Sequence, residues 1–256
     1  IVQISYINND EKQVSINRLL AHIDKNYKNN DKNLLEEFVK YYYCAISAED
    51  MNERGIHDLY GSLVSHWQLL INKDSSERIV KVYNPSFEVH GWQSSRTVVE
   101  IAIPSLPFVL SSLKILITRL EHYMYLVINA GNLSIVRNKS NAIVNFNAKA
   151  KKEQTESFET VVYMEIERQS DEKSLEIISL QIKSLLEDID LISADWKQMT
   201  DTLDSVIKEA KVYGTFDPDY KEKIAFLNWL KENNFTFLGY SKYNVIKAED
   251  GIELKQ

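Results

Sequence analysis

Glycine occurs only seven times in 256 residues, at positions 55, 61, 91, 131, 214, 239 and 251, and no two lie within five residues of each other. Ordinary chains carry about 7% glycine. A dinucleotide fingerprint or a P-loop needs clustered glycines, because backbone N–H groups must approach phosphate without a Cβ in the way. No GxGxxG and no GxxxxGK[ST] occurs. A nucleotide site of either kind therefore has almost no room in this chain. With 44% hydrophobic residues the chain can nonetheless bury a sizeable core. Its formal charge of −7 argues against a nucleic-acid binder, which would present a basic face.

Cys44 is the single cysteine, so neither an internal disulfide nor a cysteine-based zinc site can form. That fits a reducing, cytoplasmic setting. The uncharged apolar stretch from Ile101 to Leu113 is short and interrupted by Pro104 and Pro107, so it does not read as a membrane span. No basic run followed by an apolar one marks a signal peptide. The first residue is Ile1 and the last residues look strand-like, so the chain reads as an ordered piece of a longer protein.

The first third has the period of helices. Ile16, Leu19, Leu20, Ile23 and Tyr27 form one apolar stripe, Leu35, Phe38, Val39, Tyr42 and Ile46 a second, and Ile56, Leu59, Tyr60, Leu63, Val64, Trp67 and Leu70 a third. Asn30 or Asp31 can cap the second helix, and Gly55 marks the break before the third. Three amphipathic helices with short connections predict a bundle over residues 1–76.

From residue 77 the period changes. Arg78 to Tyr83 is a short strand ended by Asn84-Pro85, and Thr97 to Ile103 is a central strand, apolar on both faces apart from Glu100. Pro107 suits the first turn of a helix running to about Glu121, with Ser105 as its cap. Tyr123 to Asn129 and Leu133 to Asn138 are strand-like, the polar segment from Lys139 to Ser157 reads as an exposed loop or a poor hairpin, and Val161 to Ile166 is a strand. Leu175 to Ile189 is an amphipathic helix. The fold class is therefore α+β: a helical bundle, then a ferredoxin-like sandwich with an antiparallel sheet over 77–190, with Ile79 to Tyr83 supplying the missing edge strand. A helical connector over 191–232 and the start of a further β-containing module over 233–256 follow, the latter opening with a strand from Phe235 to Tyr240.

Five blocks of rarer residues stand out: His57-Asp-Leu-Tyr-Gly61 with Ser65-His66-Trp67; Val82 to Pro85 with His90-Gly91-Trp92 and Thr97 to Ile101; Met164 to Gln169; Ala194-Asp-Trp196; and Asn234 to Tyr240. In this order they resemble the N-terminal region of the large bacterial NAD-specific glutamate dehydrogenases, where ACT-like modules precede the dehydrogenase domain. The resemblance implies a parent enzyme that oxidatively deaminates L-glutamate to 2-oxoglutarate with NAD. It implies no catalytic, cofactor-binding or metal residue in this piece, which would take no cofactor itself. The implied partners are downstream domains of the same chain, further copies in a homo-oligomer and an amino-acid effector, with no nucleic acid and no membrane.

ACT modules bind effectors at the turn after their first strand. Here that turn contains Ser105, Leu106, Pro107 and Phe108, with Phe108 where a glycine would admit ligand backbone. His90 and Trp92 form a second candidate, a binding loop with a titratable ring and a stacking platform. The competing reading of that loop is a tight turn at Gly91 with Trp92 plugging the edge of the core. The five histidines have no metal-ligand spacing, and His57 and His66 fall on opposite sides of one helix. Glu165 and Glu167 share a strand face, where pairing with Arg168 or Lys81 is a simpler reading than acid–base chemistry.

Overall fold

The computed structural model describes residues 10–213, 219–248 and 251–255. The chain divides into two compact units, Ile1–Leu186 and Glu187–Gln256.

Four helices open the first unit: α1 (Asp10–Asn26), α2 (Lys32–Tyr42), the short α3 (Ala48–Asn52) and α4 (Ile56–Asn72). The stripes read from the sequence are the buried ones: Leu19 and Ile23 on α1, Leu35, Phe38, Val39 and Tyr42 on α2, Leu59, Leu63, Trp67 and Leu70 on α4. Asp31 stands at the N-cap of α2 but makes no side-chain cap. Its carboxylate instead accepts from the Trp67 indole at 2.7 Å and the Tyr27 hydroxyl at 3.0 Å, tying α2 to α4 and to the end of α1.

The sheet has five strands in the order β1 (Ile79–Tyr83), β2 (Thr97–Pro104), β5 (Thr155–Ile166), β3 (Met124–Arg137), β4 (Ile143–Phe146), all pairs antiparallel. Without β1 and β4, the order β2-β5-β3 with the intervening α6 (Val109–Arg119) and the following α7 (Glu172–Tyr213) is three quarters of a ferredoxin-like unit. β1, which precedes the unit in sequence, pairs with β2 where the fourth strand would lie, as its composition suggested. Strands alternate their side chains between faces. One face presents Val98, Ala102, Val161, Tyr163, Ile128 and Ile135, which share a single core with α1, α2 and α4. On the opposite face Val99, Ile101, Ile103, Val162, Met164 and Ile166 are also buried, and α6 (Val109, Leu113, Ile117) and α7 (Ile178, Ile182, Leu186) bring buried stripes of their own. Each such side chain removed from water contributes roughly 1.5–3 kcal/mol.

Several sequence expectations are corrected. Of the two readings of Lys139 to Ser157, the hairpin holds and the loop does not: Ile143–Phe146 pairs with β3, and β5 already begins at Thr155. The strand-like stretches around Ala130-Gly131 are one strand with a register shift between Asn129 and Asn132. Helix α6 begins at Val109 rather than Pro107, and Ser105 does not cap it. The Ser105 N–H donates to the Phe158 carbonyl at 2.8 Å, which holds it beside the sheet. Phe108 takes the N-cap at φ 60°, a left-handed conformation uncommon for a residue with a Cβ. The helix signals on either side of residue 190 are one 42-residue helix, α7.

In the second unit, α8 (Tyr220–Trp229) runs into a π-helical turn at Leu230–Asn234. The strand expected from Phe235 to Tyr240 is irregular chain, and the hairpin is β6 (Asn244–Ala248) with β7 (Gly251–Lys255). Trp196 meets Phe237 at 5.9 Å between ring centroids, and Lys231 pairs with Asp204 at 2.7 Å. Among the described residues no helix is long and apolar enough to cross a membrane.

Candidate functional site

The first three blocks of rare residues converge at one end of the sheet, around the loop joining β1 to β2. After Pro85 the chain makes one helical turn, α5 (Phe87–His90), in which His90 Nδ1 accepts from the Ser86 N–H at 3.1 Å. Gly91 ends the turn at φ +72°, a conformation that favours glycine, and so directs Trp92 back into the protein. Trp92 is 7% exposed. It lies against Gly61 of α4 so closely that a Cβ there would sit 2.5 Å from the Trp92 Cβ. The mid-helix glycine, which sacrifices about 1 kcal/mol of helix propensity, is thus the notch that receives the indole.

Behind Trp92 lies a buried polar group. The Tyr83 hydroxyl donates to Glu100 Oε1 at 3.1 Å and shares a hydrogen bond with Ser65 Oγ at 2.8 Å. Glu100 is 0% exposed, and its Oε2 has no hydrogen-bond partner in the protein. Burial pushes the Glu100 carboxyl up to about 7, against the opposing influence of the nearby Lys81 ammonium group and Ser65 hydroxyl and of the hydrogen bond from Tyr83. Trp92 Nε1 approaches the Tyr83 hydroxyl without reaching hydrogen-bond geometry, and it too is buried and unpartnered. One turn along α4, His66 Nε2 meets the Ile101 carbonyl at 3.2 Å, so this nitrogen donates and Nδ1 accepts from the Tyr42 hydroxyl at 3.1 Å. Burial pushes the His66 imidazole down to about 4, keeping it neutral.

Strand ends are tied together outside this group. Thr97 Oγ1 donates to Asn84 Oδ1 at 2.7 Å and accepts from the Gln169 N–H at 2.8 Å, while Asn84 Nδ2 donates to the Gln169 carbonyl at 2.8 Å. Glu165 is paired with Arg54 at 2.9 Å and accepts from the Tyr163 hydroxyl at 3.1 Å. Its partner is thus neither Arg168 nor Lys81, the two cations suggested by the sequence. Lys81 lies over the Tyr83 ring, 4.1 Å from its centroid. Glu167 lies beyond the end of β5 and is exposed.

Two open clefts flank Trp92. One, of about 810 Å³, lies between the α3–α4 turn and the strand ends and includes Arg54, Asp58, Arg96, Tyr125 and Arg168. The other, of about 1110 Å³, runs between the outer side of α4 and β1 and includes Tyr60, Val64, Val80 and His90. His22 and His57 also meet there, with ring centroids 5.1 Å apart. The structure therefore brings His90 and Trp92 to one cleft. The turn at Ser105, Leu106, Pro107 and Phe108 belongs to neither and lies at the opposite end of β2, roughly 20 Å away along an eight-residue strand. Among the described residues no three His, Cys, Asp or Glu side chains group as a metal site would require.

A second buried polar cluster had no sequence signal. Lys73 Nζ donates to Glu159 Oε2 at 2.7 Å, and Arg137 donates to Glu159 Oε1 at 3.1 Å and to the Leu70 carbonyl at 3.1 Å. Lys73 and Glu159 are both 0% exposed. The three residues sit far apart in sequence, and only the fold joins the C-terminal end of α4 to the middle of the sheet.

Comparison with known proteins agrees with the architecture. Residues 38–182, more than half of the chain, match the model of the glutamate dehydrogenase ACT1 domain. The chain is 30% identical over 232 residues to the NAD-specific glutamate dehydrogenase of Halomonas elongata, an alignment covering 89% of this chain and 14% of that protein. It is 30% identical over 217 residues to the NAD-specific glutamate dehydrogenase of Pseudomonas aeruginosa, covering 84% of this chain and 13% of that one. It thus spans about one seventh of the length of these relatives. The matched region takes in the five-stranded sheet, the end of α2 with α3 and α4, and the whole Trp92 loop, and the chain belongs to the glutamate dehydrogenase ACT1-domain family.

Proposed function

We propose that this chain is a non-catalytic regulatory and assembly region of a large NAD-specific glutamate dehydrogenase, which converts L-glutamate and NAD to 2-oxoglutarate, ammonia and NADH. The observation that carries the reading is the match of residues 38–182 to the ACT1 domain of such enzymes. The chemistry of the chain supports it. Pyrophosphate recognition needs N–H groups at a tight glycine-rich turn before a helix. The turn from Ile103 to Phe108 instead holds two prolines, which lack an N–H, and no glycine. On this reading NAD and the reacting groups are held by other parts of the enzyme. The bundle over 1–76, the sandwich over 77–190, the connector over 191–232 and the module beginning at 233 serve to pack domains of a cytoplasmic homo-oligomer and to pass on effector binding. Of the two candidate effector positions we favour the loop with His90 and Trp92, because clefts adjoin it. Phe108 stands 49% exposed across the turn containing Ser105, Leu106 and Pro107.

Calorimetric titration of the chain with NAD and with glutamate, together with an NADH assay, tests the reading. No NAD binding at micromolar levels and no turnover are expected. Saturable NAD binding, or NADH formation that survives control purification, would overturn it in favour of an independent enzyme.

A further inference from the structure

On the face of the sheet that meets α4, three side chains of β1 and β2 form a triangle. Lys81 stands opposite Glu100 in the strand register, and Tyr83 follows Lys81 by two residues on the same face. The Tyr83 hydroxyl donates to Glu100 Oε1 at 3.1 Å, and the Lys81 ammonium group lies 4.1 Å from the Tyr83 ring centroid. Opposed residues have Cβ atoms only about 4.5–5.5 Å apart, so a lysine stem reaches the carboxylate as readily as it reaches the ring. One corner of the triangle is incomplete: Glu100 is fully buried, and its Oε2 has no hydrogen-bond partner in the protein.

Which arrangement is stable depends on the proton. A neutral carboxyl group is served by the single Tyr83 hydroxyl, whereas a charged one shut away from water needs further donors. The groups around Glu100 narrow the choice. From α4 come Ser65, already bonded to Tyr83, and His66, whose nitrogens are spent on the Ile101 carbonyl and on Tyr42. From α2 and β5 come the hydroxyls of Tyr42 and Tyr163, bonded to His66 and to Glu165. Trp92 Nε1 is an unspent donor but a neutral one. Among the described residues Lys81 is the one cation that acts on Glu100. A pair with a desolvated carboxylate outweighs its cation–π contact with the ring. We infer that Glu100, Tyr83 and Lys81 form a two-position proton switch: with Glu100 neutral Lys81 rests on the Tyr83 ring, and when Glu100 releases its proton to solvent the ammonium group swings across to Oε2. Burial has moved Glu100 up to about 7, which sets the change at neutrality. Lys81 also lines the cleft of about 1110 Å³ between α4 and β1, beside His90 and Trp92. The swing therefore withdraws a positive charge from the cleft wall as pH rises. Its use in regulation rests on the proposed function; the switch itself does not.

The test is NMR titration of the chain carrying 13C-labelled glutamate and lysine, from about pH 5 to about pH 9. The Lys81 side-chain signals should lose their Tyr83 ring-current shift with a midpoint near 7, and the Glu100 carboxyl should titrate with the same midpoint. In Glu100→Gln the Lys81 signals should stay flat over this range. In Lys81→Met the Glu100 midpoint should rise by about half a unit or more, because the charged form has lost its cation. His90 rests on the same Tyr83 ring, 4.7 Å between centroids, and His90→Gln should leave the Lys81 midpoint in place. Lys81 signals that do not move, that move equally in Glu100→Gln, or that stop moving in His90→Gln overturn the switch. So does a Glu100 midpoint that Lys81→Met leaves unchanged. Should Glu100→Gln fail to fold, the Lys81→Met titration, which alters only a half-buried side chain, still decides the matter. NAD binding or turnover would overturn the regulatory reading and leave these titrations as they are.

Discussion

Glu159 and Glu100 lie on the same face of the same sheet, on the adjacent strands β5 and β2, and both are fully buried. Their surroundings differ. Glu159 receives Lys73 and Arg137 directly and has Ser157 Oγ at 3.4 Å. Glu100 receives one hydroxyl from Tyr83, and its second oxygen has no protein partner. Lys81 lies opposite Glu100 in the strand register, but its ammonium group sits over the Tyr83 ring. Burial alone therefore does not decide how a carboxylate behaves; the supply of donors does. At Glu159 the charge is part of a clamp joining α4 to the sheet. At Glu100 the same group is held as an acid that titrates near neutrality.

The largest expected effect is at the clamp. Glu159→Gln leaves two buried cations without their anion and should cost roughly 3–5 kcal/mol in urea unfolding. If it costs no more than Glu100→Gln, the contrast between the two sites is broken. Comparable in size is Trp92→Ala, which empties the notch at Gly61 and should cost roughly 3–5 kcal/mol. An unchanged midpoint would show instead that the indole is dispensable to the fold. Gly61→Ala pushes a methyl group into the same indole and should cost about 1–3 kcal/mol through overpacking, together with a change in tryptophan emission.

The smallest effects sharpen the comparison through pH. The Glu100 pKa is raised in the folded protein from 4.5 to about 7, so its contribution to stability is fully present below about pH 4.5 and is lost as pH rises through 7. The His66 pKa is lowered from 6.5 to about 4, so its contribution is present above about pH 6.5 and is lost as pH falls through 4. Between these limits the two oppose each other. Glu100→Gln should leave stability rising with pH between 5 and 7, and His66→Gln should leave it falling. Urea midpoints at the two pH values read the sign directly. Equal slopes in both variants would show that neither group titrates as its burial requires.

Much of the fold was legible because it rests on local pattern. The stripes of α1, α2 and α4 predicted their buried faces, and the short run from Ile79 to Tyr83 predicted an edge strand because a ferredoxin-like sheet lacked one. Trp92 was legible only as a choice between plug and platform, which a mid-helix glycine thirty-one residues upstream decides. What stayed hidden depends on long-range geometry. Nothing local tells Lys73 that Glu159 will lie beside it, or Glu165 that Arg54 will outcompete Arg168. The cap at Phe108 was missed because a bulky residue in a left-handed conformation contradicts propensity, and only the surrounding sheet imposes it. Glu100 was noticed as the one charged residue in an apolar strand, but its single donor was not foreseeable.

The fit of Trp92 against Gly61 has a consequence for α4 as a whole. A helix sliding by one residue moves only 1.5 Å but rotates by 100°, and here any such slip would bring the side chain of Tyr60 or Ser62 against the indole. The notch thus acts as an indexing pin on a shaft, permitting one angular setting. Along that shaft Asp58 stands one turn before the pin and Lys73 twelve residues after it, about 18 Å away. A single tryptophan on a loop therefore fixes, by phase alone, both the acid that faces the cleft and the ammonium group that closes the distant clamp.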